Sequence, residues 1–479
     1  MPSSTVTWAA IIDNGVFGPD EVNKVRFLKV EENGTAKLFF LSSAFWFVLG
    51  ALEGLTAATA MVIPDLLGGI PGLVFSRIRP MHTNTMIFGL AGSALLGAGY
   101  YMIPALLRTP LWSERLGKIS LWIWNISIGV GLVALDLGYS QGREYAEFIW
   151  PSDIGILLAF FLIFFNCLQT AVRRQEKIMY VSTWYVFAAL VYTWVIYFFG
   201  NAVWNPPKGA ITGMPDAILA WFYGHGIVGL FLTPLAVAIA YYVVPRVARS
   251  PLYSHSLSLV GFWTILVIYT HIGTHHLLQT PVPTWLKVLA VSGSIAMIIP
   301  VMTVLVNLWL TMRGRLGFFH QDIGGRFVMA GLLWYILTCI QGPIQALPVV
   351  QRVTHLNNWV IAHSHMGVFG FSGMMALGGL YYMLPRITGK PIYSTRLADV
   401  QYWLLLLGMA GFFTVLTAGG LVQGNSWLNG ETVYRTLPML HIYLIVRAAF
   451  GILFVGASFI GLYNITRSIQ GAQAQGEAQ

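Results

Sequence analysis

The sequence predicts an all-α fold, a polytopic membrane bundle of about twelve transmembrane helices in a single domain. Composition is the first observation behind this prediction. Of the 479 residues, 56% are hydrophobic and only 9% are charged, whereas soluble domains carry about a quarter charged residues. The second observation is a series of long apolar stretches, and the third is the placement of positive charge between them. Together they exclude an ordinary soluble protein.

The apolar stretches are long enough to cross a bilayer, which takes about 20 residues per helix. We predict spans over 38–62, 85–107, 118–137, 152–172, 180–200, 218–245, 257–279, 285–312, 326–348, 361–385, 400–422 and 440–466. No internal repeat is expected. The first residues lack the basic-then-apolar pattern of a cleaved signal peptide, so we expect the first span to be retained. The predicted organisation is a cytoplasmic N-terminal segment, a transmembrane domain and a polar tail, over 1–37, 38–467 and 468–479.

The net charge of +9 could indicate nucleic-acid binding, but its placement indicates membrane topology. Basic residues follow the even-numbered spans, for example Arg108 after span two, Arg173 after span four and Arg246 after span six. Cytoplasmic loops of membrane proteins carry such an excess. We therefore expect these loops and both termini on the cytoplasmic side, and no nucleic-acid partner.

Histidines are the polar residues most informative about function, because ionisable groups inside a membrane are usually functional. A lone buried histidine is more often structural. Topology, however, places six histidines of four helices at one depth, in the outer part of the membrane: His82, His225, His275, His276, His363 and His365. This convergence predicts metal binding.

The spacing of His363 and His365 favours two separate metal centres. Residues two apart on a helix point about 200° away from each other, so these imidazoles would serve different ions on opposite sides of one helix. Two haems flanking the helix would fit. If His82 approaches one haem from its other face, that haem is six-coordinate and suited to electron transfer, while the other keeps a position open for a gas.

A third metal is predicted where span seven ends. His275 and His276 lie between a glycine and two prolines, so a frayed helix end could let both imidazoles reach one ion. With His225 they would supply three nitrogens, a set that suits copper or zinc; His271, one turn earlier, is an alternative ligand. Tyr269 lies on nearly the same face as His276. Its phenol could donate a proton and an electron, or it could be an ordinary helix tyrosine.

The two cysteines, Cys167 and Cys339, fall inside predicted helices and form no CxxC or CxxCH motif. A disulfide framework, a zinc ribbon and a covalently attached c-type haem are therefore unsupported on this chain. Both cysteines are expected to pack in the core.

Seven segments stand out for their order and spacing: RIRPMHT at 77–83, GREYAE at 142–147, WFYGHGIVGLFLTP at 221–234, YTHIGTHH at 269–276, QGP at 341–343, HLNNWVIAHSHMG at 355–367 and HIYLIVRAAFG at 441–451. Over nearly the whole chain this pattern resembles the catalytic subunit of cbb3-type cytochrome c oxidases, the C-type haem–copper oxygen reductases. The resemblance implies a bacterial inner-membrane terminal oxidase that reduces O2 to water, coupled to proton uptake or pumping. Electrons would come from cytochrome c through membrane-anchored c-type cytochrome subunits.

The resemblance also implies roles for individual residues. His82 and His365 would hold a low-spin haem of b type, and His363 a high-spin haem that is also b-type. Residues on the side of the haem propionates would be Arg79, His355, His441 and Arg447. A calcium ion between the propionates would be held by Glu144 or Glu147.

The same resemblance assigns a copper ion to His225, His275 and His276. Tyr269 would match the active-site tyrosine of the family, which is covalently linked to a copper-binding histidine, here His225. The chain departs from the family at Gln341, where a glutamate is usual, and at Asn358, where an aspartate is common. Because Gln341 cannot ionise, a proton-transfer step through that position is in doubt. Gln341 is kept with Tyr335 and Thr264 as a candidate for a proton path, and for Tyr335 and Thr264 the alternative is a plain helix residue.

Two other functions compete with oxygen reduction. A nitric oxide reductase would hold non-haem iron in place of copper and carry a glutamate where this chain has Gly229. Iron favours an oxygen ligand, yet no Asp or Glu lies between Asp216 and Asp322. A transporter is the remote alternative. Its best signals are Glu53 and Asp136, acids inside predicted spans, but transporters tend to show internal repeats.

Overall fold

The structure is a computed structural model that describes residues 31–204 and 212–471. Within these ranges the chain is helical, without a β-strand beyond one isolated bridge. Twelve helices are long and apolar enough to cross a membrane: α1 Gly34–Val62, α2 Phe75–Leu107, α3 Glu114–Asp136, α4 Trp150–Val172, α5 Val181–Gly200, α6 Met214–Val247, α7 His255–Leu277, α8 Thr284–Met312, α9 Ile323–Gln345, α10 Asn358–Thr388, α11 Thr395–Leu428 and α12 Val433–Gln470. The predicted all-α, twelve-helix bundle is confirmed.

Several helices extend past the predicted apolar stretches because their first turns are polar. Helix α2 begins at Phe75, ahead of the predicted 85, and these added turns carry Arg79 and His82. Helix α1 begins at Gly34, before the expected domain boundary at 38. The expected terminal segments otherwise fall largely on 1–30 and 472–479, outside the described residues.

Three helices, α2, α6 and α10, form the centre of the bundle. Their apolar windows are 89%, 94% and 94% buried, against 28% for α12, and their C-terminal halves contact one another. Each carries a histidine and then widens into π-helical turns, over Thr85–Gly92, Ile227–Leu232 and Met366–Gly373. Such wide turns are frequent at functional sites.

A threefold repeat relates these central helices, so the expectation of no internal repeat is wrong. Each helix ends in a related segment, YYMIP at 100–104, YYVVP at 241–245 and YYMLP at 381–385. A proline-containing turn follows each segment. The next helix then starts at a capping serine, which is Ser113, Ser254 or Ser394, whose hydroxyl accepts a hydrogen bond from a backbone N–H three residues on.

An asparagine on the following helix holds each capping serine through its backbone. The Asn307 Oδ1 accepts from the Ser254 N–H at 3.0 Å, and the Asn307 amide donates to the Ser254 carbonyl at 2.7 Å. Asn166 and Asn464 make the same pairs of bonds to their serines. A repeated helix pair is thus the building unit. Because a repeat is present, the argument against a transporter from missing repeats no longer holds. The functional site must distinguish a transporter from a metalloenzyme.

Candidate metal centre

The three histidines of the predicted third metal converge because helix α7 changes geometry at its end. Its α-helical part stops at Tyr269, and a 3-10 turn over Gly273–Leu277 follows. This tighter turn directs both His275 and His276 toward His225 on α6, as the predicted frayed end requires. One ligand atom from each of the three lies within 4.8 Å of the others. Among the described residues, this is the one group of three or more such side chains close enough to share a metal ion.

The distances within the group suit one ion. The Nδ1 of His225 and the Nε2 of His276 lie 3.2 Å apart. Two nitrogens each about 2 Å from one metal are separated by roughly this distance. The Nδ1 of His275 bonds the hydroxyl of Ser294 at 2.7 Å, which leaves its Nε2 for the metal. The nitrogen-only set fits copper or zinc.

Tyr269 lies against this group. Its ring and that of His225 are 4.4 Å apart between centroids, with planes within 4° of parallel. The Nε2 of His225 is buried and has no hydrogen-bond partner among the described residues. Gly229, one turn after His225, leaves the room that the Tyr269 ring occupies, because a Cβ there would overlap the ring. A glutamate at 229, the side chain expected of a nitric oxide reductase, has no space beside this tyrosine.

His82 and His365 face each other across a gap that fits one metal. Their ring centroids are 6.1 Å apart and their planes differ by 19°. With metal–imidazole bonds of about 2 Å, an iron between the rings would place the centroids about 6 Å apart. The Nδ1 of His82 bonds the Gly50 carbonyl at 2.7 Å, and that of His365 bonds the Ile361 carbonyl at 2.8 Å. Both Nε2 atoms are left for an iron.

His363 points away from His365, as the two-residue spacing predicts. Its Nδ1 lies 2.9 Å from the Gln341 Oε1 on α9, and its ring stacks on Trp359. A cavity of about 520 Å³ is lined by His363, by the three-histidine group and by Tyr269. One cavity therefore joins a single histidine to the predicted copper ligands, which is the arrangement expected for a high-spin haem beside a third metal.

The residues predicted for the propionate side divide into two groups. Arg79 lines the cavity and pairs with Glu144 and, at 3.8 Å, with Glu147. Arg447 is buried, donates to the Met61 sulfur at 3.1 Å, and has an Nε without a partner in the described part of the chain. A buried guanidinium without a carboxylate fits an anionic group of a ligand. The other two predicted residues, His355 and His441, are histidines.

His355 lines the cavity and lies 3.2 Å from the Gln279 amide oxygen. Burial lowers the pKa of His355, and Glu144 opposes this shift. His441 is exposed and does not line the cavity. Its assignment to the propionate side stays a prediction without a contact that supports it.

The predicted calcium ligands lie in the α3–α4 connection. Burial raises the pKa of Glu147, although the Asn84 amide at 3.0 Å and Arg79 favour its charged form. Glu144 is exposed and pairs with Arg79. Burial also raises the pKa of Tyr145 between them. Arg79 thus provides the positive charge here, and calcium binding stays a prediction.

The three predicted proton-path residues are not together. Tyr335 is buried and lines the cavity, with Cys339 beside it. The Thr264 hydroxyl donates to the Val260 carbonyl at 2.6 Å and does not line the cavity. Gln341 contacts His363 instead of the cavity. Of the three, only Tyr335 lies where a path to the cavity could pass.

Other residues singled out from the sequence have structural surroundings. His271 lies near Gly293 of α8 and is not in the three-histidine group. The Asn358 amide donates to the Gln423 Oε1 at 2.8 Å.

The acids and cysteines inside the predicted spans also have structural surroundings. Glu53 is buried, and neither of its carboxylate oxygens is hydrogen-bonded to a described residue. The Asp136 carboxylate lies beside Gly72. Cys167 is buried in the core, as expected, whereas Cys339 lines the cavity.

Three residues that contact the metal group were not found from the sequence. Ser294 bonds the His275 imidazole, and the Gln351 amide donates to the His275 carbonyl at 2.7 Å. Trp221 stacks on His276 with centroids 4.0 Å apart. Only Trp221 lies inside one of the seven motifs. The other two come from separate helices, and no spacing rule links them to the histidines.

The fold and the site together define a helical membrane protein in which paired and clustered histidines are placed to hold metal ions. Comparison with known proteins supplies the family: residues 34–453 match the description of cytochrome c and quinol oxidase polypeptide I. The chain belongs to this family. It is 31% identical over 451 residues to the cbb3-type cytochrome c oxidase subunit CcoN1 of Stutzerimonas stutzeri, covering 91% of this chain and 94% of that one.

More distant relatives agree in fold. A nitric oxide reductase subunit of Stutzerimonas stutzeri is 26% identical over 475 residues, covering 91% of this chain and 95% of that one. A solved haem–copper terminal oxidase dimer has a TM-score of 0.76 at 18% identity, covering 92% of this chain and 85% of that one.

The family makes this chain an oxidoreductase of the haem–copper type, and the predicted resemblance to cbb3-type oxidases is confirmed. The twelve apolar helices and the bacterial respiratory relatives indicate a multi-pass protein of the inner membrane. The histidine group of the structure is consistent with the haem and copper chemistry of the family.

Proposed function

We propose that this chain is the catalytic subunit of a terminal oxidase that reduces O2 to water with electrons from a c-type cytochrome. One observation carries the proposal: the predicted copper ligands, Tyr269 and His363 line one cavity. Oxygen chemistry at two metals needs ligands for both and a proton donor beside them, and these side chains supply all three. The relative named as a cbb3-type cytochrome c oxidase subunit supports the same activity.

The metal groups would be held as follows. His82 and His365 would hold a low-spin b-type haem, and His363 would hold a high-spin b-type haem. His225, His275 and His276 would bind copper. When bound, these groups would supply the electron path and the pair of metals at which O2 is reduced.

The chain's own residues would orient the metal-binding imidazoles and hold a proton beside the copper ligands. Hydrogen bonds from Nδ1 to the Gly50 carbonyl, the Ile361 carbonyl and Gln341 orient the imidazoles of His82, His365 and His363 and leave each Nε2 for a haem iron. Tyr269 would hold a proton at its hydroxyl next to the copper ligands. The Nε2 of His225, which lacks a partner in the described ranges and lies beside the tyrosine ring, supports the covalent link between these two residues.

Charged and proton-carrying side chains at the periphery would complete the site. Arg79 and Arg447 would bind haem propionates, with His355 nearby. Glu144 or Glu147 would hold calcium once Arg79 turns to a propionate. Tyr335 would lie on the proton path to the cavity.

Electrons would enter through partner subunits, because the chain has no CxxCH site for a covalently attached haem. We propose membrane-anchored c-type cytochromes as these partners and cytochrome c as the donor. Purifying the chain in mild detergent should yield co-purifying c-type haem. A fully active complex without any c-type haem would contradict this part of the proposal.

Elemental analysis tests the function most directly. We expect one copper for every two b-type haems, with no iron beyond the haems, and oxygen consumption by the purified complex. The contrary result is one iron in excess of haem and no copper. That composition would identify a nitric oxide reductase, and NO turnover would then be measured in place of oxygen.

A further inference from the structure

The contact between Gln341 and His363 links helix α9 to α10 at the centre of the site. The Gln341 Oε1 and the His363 Nδ1 are 2.9 Å apart, although 22 residues separate them in sequence. The two helices are close here, since a Cβ at the neighbouring Gly342 would be in van der Waals contact with the imidazole, 3.6 Å from it. The amide oxygen contacts the imidazole at Nδ1, which leaves Nε2 for a metal.

A glutamine oxygen can only accept this hydrogen bond, so the proton must be on Nδ1. His363 is then a neutral imidazole whose lone pair is on Nε2. Partners of a metal-binding histidine set its tautomer and its basicity. A neutral amide withdraws less of the Nδ1 proton than a carboxylate would, so it leaves the imidazole a weaker electron donor to a metal.

We propose that Gln341 is a positioning residue for His363 and sets the electron affinity of the high-spin haem by accepting a neutral hydrogen bond. The inference rests on the proposed role of His363 as the axial ligand of that haem. A weaker donor stabilises ferric iron less. The haem is therefore easier to reduce in this chain than it would be with a carboxylate at position 341.

The geometry favours this role over the proton path predicted for Gln341. Its side chain is outside the set of residues that line the cavity, whereas Tyr335, Thr338 and Cys339 of the same helix are inside it. Its amide oxygen is already bonded to the imidazole. A group in a proton path would need contact with a further titratable side chain or with the cavity, and Gln341 makes neither contact within the described residues.

Two substitutions test the inference in the whole complex. Gln341→Glu replaces the amide by a carboxylate of the same length, and Gln341→Met removes the acceptor at similar volume. The measurements are the iron–histidine stretching frequency of the reduced high-spin haem, by resonance Raman spectroscopy, and its midpoint potential. Gln341→Glu should raise the frequency and lower the potential, changing the ratio of reduced to oxidised haem at fixed potential by about tenfold or more. Gln341→Met should lower the frequency.

A matched control separates the hydrogen bond from a general charge effect. Gln345 lies one helical turn further along α9 and lines the cavity. Gln345→Glu adds the same charge at a position other than the one that bonds the His363 Nδ1. It should therefore shift the midpoint potential but leave the stretching frequency unchanged. An equal change of frequency in both glutamate variants would overturn the proposal.

Failure of the inference is distinguishable from failure of the proposed function. In His363→Gly the iron–histidine band should disappear and return when imidazole is added, because His363 is the axial ligand. If the band instead survives in His363→Gly, the axial assignment itself is wrong. If the band behaves as expected but neither Gln341 variant moves it, the proposed role of Gln341 is wrong and the oxidase assignment stands.

Discussion

Hydrogen bonds at the Nδ1 atoms determine the orientation of each imidazole and leave its Nε2 for a metal. Partners of this kind orient the ring and fix its tautomer. In this protein they are of three chemical types: a backbone carbonyl for His82 and His365, a side-chain amide for His363 and a hydroxyl for His275. The loss of one such partner should therefore weaken the binding of one metal specifically.

The hydroxyl of Ser294 provides the first test at this scale. It donates its single hydrogen to the Ala290 carbonyl at 2.7 Å, so it must accept from His275 Nδ1–H. Ser294→Ala should release the His275 ring and weaken copper retention by about 10–100-fold, while both haems stay bound. The copper-to-haem ratio after dialysis against a chelator measures this.

Ser292→Ala is the matched control, because the Ser292 hydroxyl is on the same helix and bonds the Val288 carbonyl instead of a histidine. It should keep copper as the parent protein does. Equal copper retention in both variants would show that the Ser294 bond does not matter for the metal.

Gly229 provides the second test. A methyl group there would overlap the Tyr269 ring, so Gly229→Ala should displace the tyrosine and strongly reduce oxygen consumption, with haem content unchanged. Gly129→Ala, on α3 where nothing in the described structure lies within 4 Å of an added Cβ, is the control and should remain active. Full activity of Gly229→Ala would argue against a positional requirement for Tyr269.

The sequence predicted which histidines lie near one another better than it predicted the residues that contact them. The depth argument predicted that six histidines lie at one level because the order of the spans fixes which helix ends share a membrane face, and the structure groups three of them and pairs two others. Ser294 and Gln351 could not be found in this way, because their contacts depend on how α8 and the segment after α9 pack. His441 shows the converse limit: it lies in a matching segment, yet it is exposed.

At the scale of helices and turns, the repeated serine–asparagine contact stabilises the start of each outer helix pair. The Asn307 side chain satisfies both the N–H and the carbonyl of Ser254. Leaving a buried backbone group unpaired costs about 1–3 kcal/mol. The same contact occurs three times and holds the first residues of α3, α7 and α11 against the helix that follows each of them.

Asn307→Ala should therefore lower the stability of the protein by about 2–4 kcal/mol, since it leaves two backbone groups without partners. Thermal unfolding in detergent, followed by release of haem, measures the loss. Thr56→Ala is the control, because the exposed Thr56 hydroxyl bonds the Leu52 carbonyl of its own helix. An Asn307→Ala protein as stable as this control would contradict the structural role.

Sequence patterns predicted the existence of each helix but not its full length or the repeat. An apolar window ends where polar residues begin, and the polar first turns of α2 carry Arg79 and His82. The repeat was missed because it is spread over a few positions, such as the YYxxP segments and the capping serines, within helices of otherwise different sequence. The physical cause is that packing around the centre constrains only those positions.

At the scale of the whole molecule, the candidate metal ligands His82, His225 and His363 lie in the N-terminal halves of the three most buried helices, α2, α6 and α10. Low-dielectric surroundings strengthen electrostatic interactions between bound groups. The helices that surround this centre are less buried and expose large apolar side chains, as Trp263, Val267 and Ile452 do. This outer layer can face lipid or partner subunits, whereas the centre cannot.

The orientation of the bundle follows from its charge and can be measured. Twelve spanning helices in the described part of the chain would place the start of α1 and the end of α12 on the same side, and the basic even-numbered connections predict that this side is the cytoplasm. Single cysteines report it in intact cells: Gln175→Cys lies in the α4–α5 connection and Thr432→Cys in the α11–α12 connection, both exposed. A membrane-impermeant thiol reagent should label Thr432→Cys only. The unsubstituted chain, whose Cys167 and Cys339 lie within helices, gives the background. Labelling of Gln175→Cys alone would invert the orientation and place the metal groups near the cytoplasm, away from an external cytochrome donor.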